Sequence, residues 1–307
     1  MPTSVAAAGM TERSERIRKL LAVSLLVVAG LIVSGFTVLR RIDPLDEGVM
    51  LQAVERIVSG QVPYRDFLWP YGPGQPYLLS GIHHFGGASL LDWRLVRVAA
   101  DSATALTVFL IVSGRFSWRW ALAAWFVAIL SISEPASANP FSLALLASLV
   151  ALSVAAGAHS SKRPAGAAAL AGVICALAAA WRPDAGVFAF LAVAATLMAA
   201  PTAGRLRRTI YAAVAAIVAG LLVYLPFVLL ASPRVMYDAL LGTPLRDGAW
   251  WRLPFVVMGP TSVDFSSPAG LAGSLNDLLG QEVAVLLLVA LGCCAAAIAL
   301  RWQRSRE

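Results

Sequence analysis

Lys19-Leu-Leu-Ala-Val-Ser-Leu-Leu-Val-Val-Ala-Gly-Leu-Ile-Val-Ser-Gly-Phe-Thr-Val-Leu-Arg-Arg-Ile-Asp-Pro-Leu-Asp-Glu-Gly48 is an apolar run that stops at two arginines and resumes on acid. Residues 20–39 carry no charge, and about 20 apolar residues cross a ~30 Å hydrocarbon core. Arg13, Arg16, Arg18 and Lys19 precede the run. The run is longer than the apolar part of a signal peptide, and Arg40-Arg41-Ile42-Asp43 is a poor cleavage site. An uncleaved first span is therefore expected, with a cytoplasmic N-terminus.

The whole chain has the same character. Its 307 residues are 59% hydrophobic and 13% charged, with a mean hydropathy of +0.76. Soluble domains carry roughly 25% charged residues, so a water-soluble enzyme, a disordered tail and a secreted disulfide scaffold are excluded. The net charge of +7 does not indicate nucleic acid, because the arginines sit in short runs between apolar stretches. Cys175, Cys293 and Cys294 lie inside apolar runs without CxxC or histidine-rich spacing, which speaks against a disulfide framework or a zinc site.

The expected fold is an all-α integral membrane protein of about eight transmembrane helices, a single polytopic domain over residues 1–307. The spans fall near 20–39, 94–113, 118–133, 140–157, 165–181, 184–200, 209–231 and 280–300, with long outer loops at 40–93 and 232–279. Basic residues support this order. Beyond the N-terminal group, the inner segments hold Arg115 and Arg119, Lys162 and Arg163, Arg205, Arg207 and Arg208, then Arg301, Arg304 and Arg306. The short outer loops hold only Arg182, the positive-inside pattern with both termini cytoplasmic. Most acids fall on the outer side, which suggests binding or chemistry there. No internal repeat accompanies the spans.

The loop after the first span carries the strongest signal. Asp43 is a good N-cap, Pro44 suits a first helical position and Gly60 suits a stop. Met50, Val54, Ile57 and Val58 give that helix an apolar face, read as interfacial on the bilayer. Asp46 and Glu47 fall in its first turn, where the helix dipole favours carboxylates. A Pro/Gly turn at 70–76 precedes a second interfacial helix over 77–85. Trp69, Tyr71, Tyr77 and Trp93 are aromatics suited to headgroup level.

Asp46-Glu47-Gly48 directly after span one, then Ala53, Gly60, Pro63-Tyr64-Arg65-Asp66 and Tyr71-Gly72-Pro73, resemble the GT-C glycosyltransferases. These enzymes use lipid-phosphate sugars and include protein O-mannosyltransferases, aminoarabinose transferases and oligosaccharyltransferase catalytic subunits. The likeness is strongest to bacterial mannosyltransferase-like members. It rests on residues 40–80 and extends through topology to about residue 231. It implies a polyprenyl-phosphate sugar donor, a cell-envelope acceptor and a site on the outer face of the bacterial cytoplasmic membrane. It also implies an acidic residue at the start of the first loop, which Asp46 matches, with Glu47 beside it.

Inverting transfer needs a carboxylate to take the acceptor's proton, and cations to stabilise the leaving phosphate. Asp46 is the candidate base, with Glu47 and Glu134 as further catalytic candidates. In the resembling superfamily some members carry a second acidic site near the loop that holds Glu134. The alternative for Asp46 and Glu47 is simple complementation of a helix N-terminus. Arg182 is the candidate phosphate ligand, being suited by its fork of donors; the alternative is an Arg182–Asp184 ion pair that closes the turn. Arg94, Arg97 and Asp101 share one helix face, as a wall of the donor site or as a self-neutralising pair. Tyr64, Arg65, Asp66, Tyr71, Asp101 and Asp184 are substrate-positioning candidates.

No obligatory metal is expected, although two carboxylates would accept a divalent cation. His83 and His84 point about 100° apart on a helix, a poor metal pair. Arg234, Tyr237, Asp238, Arg246, Asp247, Trp250, Trp251, Arg252 and Asp264 make the second loop either an acceptor-binding element or a Trp-anchored membrane loop. Two other classes stand beside the glycosyltransferase: a noncatalytic or truncated membrane subunit, and a lipid or solute transporter. Absent repeats and few midplane charges count against the transporter.

Overall fold

A computed structural model of the chain describes residues 3–246 apart from 41, 43, 45, 88, 134–139, 200–202 and 244. The chain divides into two compact units, Met1–Pro244 and Leu245–Glu307, and nearly all described residues belong to the first. They are helical, with no named strand among them. In order they form α1 (Thr3–Gly35), α2 (Asp46–Val58), α3 (Gly74–Gly86), α4 (Leu90–Ser113), α5 (Trp118–Ile132), α6 (Phe141–Gly157), α7 (Pro164–Trp181), α8 (Pro183–Ala199), α9 (Arg205–Ala231) and α10 (Pro233–Tyr237), with a π-helical turn at Asp238–Gly242.

By length and composition α4, α7 and α9 are able to cross a membrane. Leu20–Gly35 of α1, together with α5, α6 and α8, is apolar but shorter. At 1.5 Å per residue, a 15- to 17-residue helix rises about 22–26 Å, less than a ~30 Å core. Leu25, Phe126, Phe188, Leu222 and Leu229 point outward. Exposed apolar surface on this scale is unstable against water, and it marks a helical membrane protein. The eighth expected span, 280–300, and most of the second loop lie outside the described residues.

The bundle is held by small residues. Helix α4 packs on α1, α5 and α6, and α7 packs on α6, α8 and α9. At the α7–α9 crossing a Cβ on Gly172 would lie 2.0 Å from the Ala212 carbonyl oxygen, so only glycine permits the backbones to approach this closely. Ala168, Ala171, Ala189, Val193 and Leu197 fill the seam around it.

Helices α2 and α3 sit at the bundle end where α1, α7 and α9 finish and α4 and α8 begin. Helix α2 starts at Asp46, two residues later than an Asp43 cap implies, and Pro44 lies in a turn. Helix α3 starts at Gly74, three residues early, because Pro76 in its first turn gives up no needed N–H. Much of the apolar face of α2 packs on protein rather than lipid: Met50, Ala53 and Val54 are buried in a cluster with Phe67, Trp69, Leu79, Trp93 and Met236, while Val58 stays exposed. Trp69 and Trp93 are core residues rather than headgroup anchors, and Trp69 Nε1 donates to the Gly72 carbonyl oxygen at 2.9 Å.

Candidate functional site

The charged residues proposed for the site separate into a buried set and an accessible set. Glu47, 0% exposed, accepts two hydrogen bonds of 2.8 Å from Arg94 Nε and Nη2. Arg94 Nη1 also donates to the Val38 and Arg40 carbonyl oxygens at 2.5 and 2.9 Å. The pair thus ties the start of α2 and the exit of α1 to α4. A carboxylate enclosed by a bidentate guanidinium is a poor proton acceptor, and a guanidinium so occupied is a poor phosphate ligand. Glu47 and Arg94 therefore move from chemistry to scaffold.

Arg97 and Asp101 also pair within the bundle. Arg97 Nη1 is 3.0 Å from Asp101 Oδ2, and Arg97 Nη2 donates to Thr37 Oγ1. Ser34 Oγ donates to the same Asp101 oxygen at 2.7 Å. Arg97 Nε and Asp101 Oδ1 have no partner among the described residues. Intramembrane charges face the bundle interior and pair with one another or with backbone carbonyls. Of the two readings of this i, i+4 pair, the geometry matches mutual neutralisation.

That accessible set is assembled by the Pro/Gly turn. The Gly72 N–H donates to the Trp181 carbonyl oxygen at 3.1 Å, and Trp181 Nε1 donates to Gln75 Oε1 at 2.8 Å. A Cβ on Gly72 would lie 2.1 Å from the Ala180 carbonyl oxygen, so the turn seats on the end of α7 only because residue 72 has no side chain. Tyr64 and Tyr224 brace the seat: Tyr64 Oη donates to the Tyr71 carbonyl oxygen, and Tyr224 Oη to that of Ala179, each at 2.6 Å. Burial pushes the Tyr64 hydroxyl far above its ordinary pKa, so it remains a donor.

Docking the turn brings Tyr71 under Arg182, whose guanidinium carbon lies 5.9 Å from the Tyr71 ring centroid and 6.0 Å from that of Phe141. Arg182 Nε and Nη2 donate to Asp184 Oδ1 and Oδ2 at 3.1 and 2.7 Å. Side-chain exposures of 32% and 54% leave this pair open to solvent and ligand. Half-buried Asp46 is within electrostatic range of both Tyr71 and Arg182. Burial, with Asp46 as a second cause, raises the pKa of Tyr71. Hydrogen bonding to Asp184 raises that of Arg182, which stays cationic. Asp46, Tyr71, Arg182 and Asp184, from three separate segments, thus form one half-open polar cluster.

Arg65 and Asp66 build a neighbouring turn. Asp66 accepts from Arg65 Nε and Nη2 and from the Val62 N–H, at 2.9, 2.7 and 2.7 Å. These bonds, Arg65 first, hold its carboxyl at about 2. Arg56, unremarked in the sequence, stacks on Phe67 and bonds Gln61 Oε1 at 2.6 Å. Glu134 lies outside the described residues, as do Asp247, Trp250, Trp251, Arg252 and Asp264. Among the described residues no three His, Cys, Asp or Glu side chains converge as a metal site.

Phe141, Gln75 and Tyr224 are site-shaping residues that motif reading passed over. Only the Trp181 beside Arg182 hinted at the seat. No family model matches this chain, and no curated protein or solved structure is detectably similar to it.

Proposed function

We propose that this chain is a membrane-embedded glycosyltransferase that moves a sugar from a polyprenyl phosphate to a cell-envelope acceptor, with inversion. The reading includes eight spans, cytoplasmic termini and a site on the outer face of a bacterial cytoplasmic membrane. Its partners are the lipid-linked donor, the acceptor (lipid, glycan or protein) and the surrounding lipids, not nucleic acid. One observation carries it: an accessible guanidinium, Arg182, lies over the Tyr71 ring at one end of an apolar bundle, with a half-buried carboxylate, Asp46, within electrostatic range of both. The GT-C-like pattern of residues 40–80 adds to it.

In this mechanism Asp46 takes the proton of the acceptor hydroxyl while its oxygen attacks the anomeric carbon. The bond from that carbon to the phosphate oxygen breaks, and its electron pair leaves on the phosphate. Arg182 faces the charge that develops there. Tyr71 offers a ring and a hydroxyl to the sugar between them. Tyr64, Arg65 and Asp66 hold the neighbouring turn, and Glu47–Arg94 and Arg97–Asp101 hold the helices beneath. No step requires a metal, and a divalent cation remains an optional ligand.

The test uses the full chain in vesicles with a panel of labelled polyprenyl-phosphate hexoses and an envelope extract as acceptor. Label should move to the acceptor and free polyprenyl phosphate should accumulate. Asp46→Asn should lower the rate by about 10²–10⁴-fold. Transfer at the parent rate in a correctly inserted Asp46→Asn protein would remove Asp46 as base. Solute flux without any transfer would favour a transporter.

A further inference from the structure

The accessible cations at the two ends of the bundle differ in what faces them. Near the candidate site Arg182 holds Asp184 and Arg65 holds Asp66. At the opposite end of α7, the turn before it carries Lys162 and Arg163, and the start of α9 carries Arg205 and Arg207, all four exposed. None of these four side chains forms an ion pair among the described residues. Nor is an acid close in the chain. From residue 135 to residue 237 the one acid is Asp184, a full length of α7 away. Helix α4, which packs on α6, arrives at this end with Arg115 and again no acid.

The fold brings the two basic turns together. Gly172 of α7 lies against the Ala212 carbonyl, and further along Tyr224 of α9 bonds the Ala179 carbonyl oxygen. Both contacts advance in the same direction, so α7 and α9 run parallel. Their crossing lies eight residues above Pro164 and seven above Arg205, about 12 and 11 Å of helix rise. The two helix starts are therefore level and side by side. Neither has a side-chain cap, so the positive ends of two helices add to the four cations. Directly beyond the charges the helix flanks are exposed and apolar, with Leu170 and Val173 on α7 and Leu206 and Ile210 on α9.

We infer that the paired starts of α7 and α9 form a binding surface for anionic phospholipid, with the phosphate on Lys162, Arg163, Arg205 and Arg207 and the acyl chains on the apolar flanks below. The inference is independent of glycosyl transfer. A soluble anion has no use for the apolar flanks, whereas a phospholipid covers charge and flank together. A zwitterionic headgroup brings a cation that finds no carboxylate here, so the surface favours lipids whose headgroup keeps its net negative charge. Each basic residue near an anionic lipid strengthens association by about fivefold. Charge in every turn is enough to orient a chain; convergence of two turns on one patch is what a headgroup site needs.

The experiment measures equilibrium binding of fluorescent dioleoyl phosphatidylglycerol and dioleoyl phosphatidylcholine to the full chain in neutral detergent. The parent should prefer the anionic lipid by about tenfold or more. The triple variant Arg163→Gln, Arg205→Gln, Arg207→Gln should shrink the preference to about threefold or less. Arg163→Lys, Arg205→Lys, Arg207→Lys, which keeps the charge, should retain most of it. Arg115→Gln with Arg119→Gln removes exposed charge from a different turn and should leave it unchanged. Each variant should melt with the parent before lipid is added, because the altered side chains are exposed. No preference in the parent overturns the inference, as does a glutamine triple that binds like the parent. An equal loss in the Arg115 and Arg119 variant reduces the effect to net charge and overturns the patch. Glycerol 3-phosphate, the headgroup chemistry without chains, should compete at least about a hundredfold more weakly than the lipid; equal competition overturns a lipid as the occupant.

Discussion

Replacing Glu47 with Gln separates scaffold from chemistry at the start of α2. The substitution keeps size and one acceptor but removes the negative charge that faces the Nε–Nη2 edge of buried Arg94. Both side chains are essentially enclosed, at 0% and 5% exposure. Breaking a buried pair from one side costs about 3–5 kcal/mol. A unit of this size shifts its Tm by about 2–4 °C per kcal/mol, so the loss expected is about 6–20 °C. Glu47→Leu with Arg94→Met removes both charges, and well-packed apolar replacements for buried pairs are often neutral. The double variant should recover at least half of the loss. The remainder belongs to the Val38 and Arg40 carbonyl oxygens, which lose their donor. The assay is tryptophan fluorescence on heating in detergent, run beside sugar transfer. If Glu47→Gln melts within about 2 °C of the parent yet abolishes transfer, Glu47 acts in the chemistry and the scaffold assignment is wrong.

Other perturbations address the site and its turn. Asp46→Asn should leave the Tm unchanged while transfer falls; a large Tm loss would make Asp46 a structural residue. Gly72→Ala forces a Cβ against the Ala180 carbonyl oxygen and should cost about 1–3 kcal/mol, with donor use lost as Tyr71 leaves Arg182; parent stability would show the turn is not seated on α7. Tyr64→Phe removes one buried donor and should cost about 0.5–1.5 kcal/mol in an unfolding titration. Asp66 has a carboxyl pKa lowered to about 2 from 3.8. Its stabilisation is therefore complete above about pH 4 and lost as pH falls toward 2. Asp66→Asn should flatten the Tm profile across that window, and an unchanged acid limb would deny the turn that role.

The helices were legible because apolar length and flanking arginines are local signals. Trp118–Ile132, Phe141–Gly157 and Pro164–Trp181 begin and end within a residue or so of the ranges the composition indicates. The Arg182–Asp184 pair was legible too, since two residues of spacing across a proline bring the side chains together. The partner of Glu47 was not legible, because Arg94 is 47 positions away and nothing local distinguishes it from Arg97. The apolar face of α2 was visible, but a face that covers protein and one that lies on lipid share the same periodicity. The fate of Trp69 and Trp93 turned on this, as both fill the core that α2 and α3 close over. Gly72 and Gln75 looked like ordinary turn residues, and only the approach of α7 reveals what each contributes.

The most direct measurement is a density map of the full chain in a lipid nanodisc with bound polyprenyl phosphate. The phosphate should lie on the Arg182 fork, at hydrogen-bond distances of about 2.7–2.9 Å, with Asp184 turned away and Asp46 facing the sugar side. A polyprenyl phosphate held only at the opposite end of the bundle, by Lys162, Arg163 or Arg205, with none on Arg182, would contradict it.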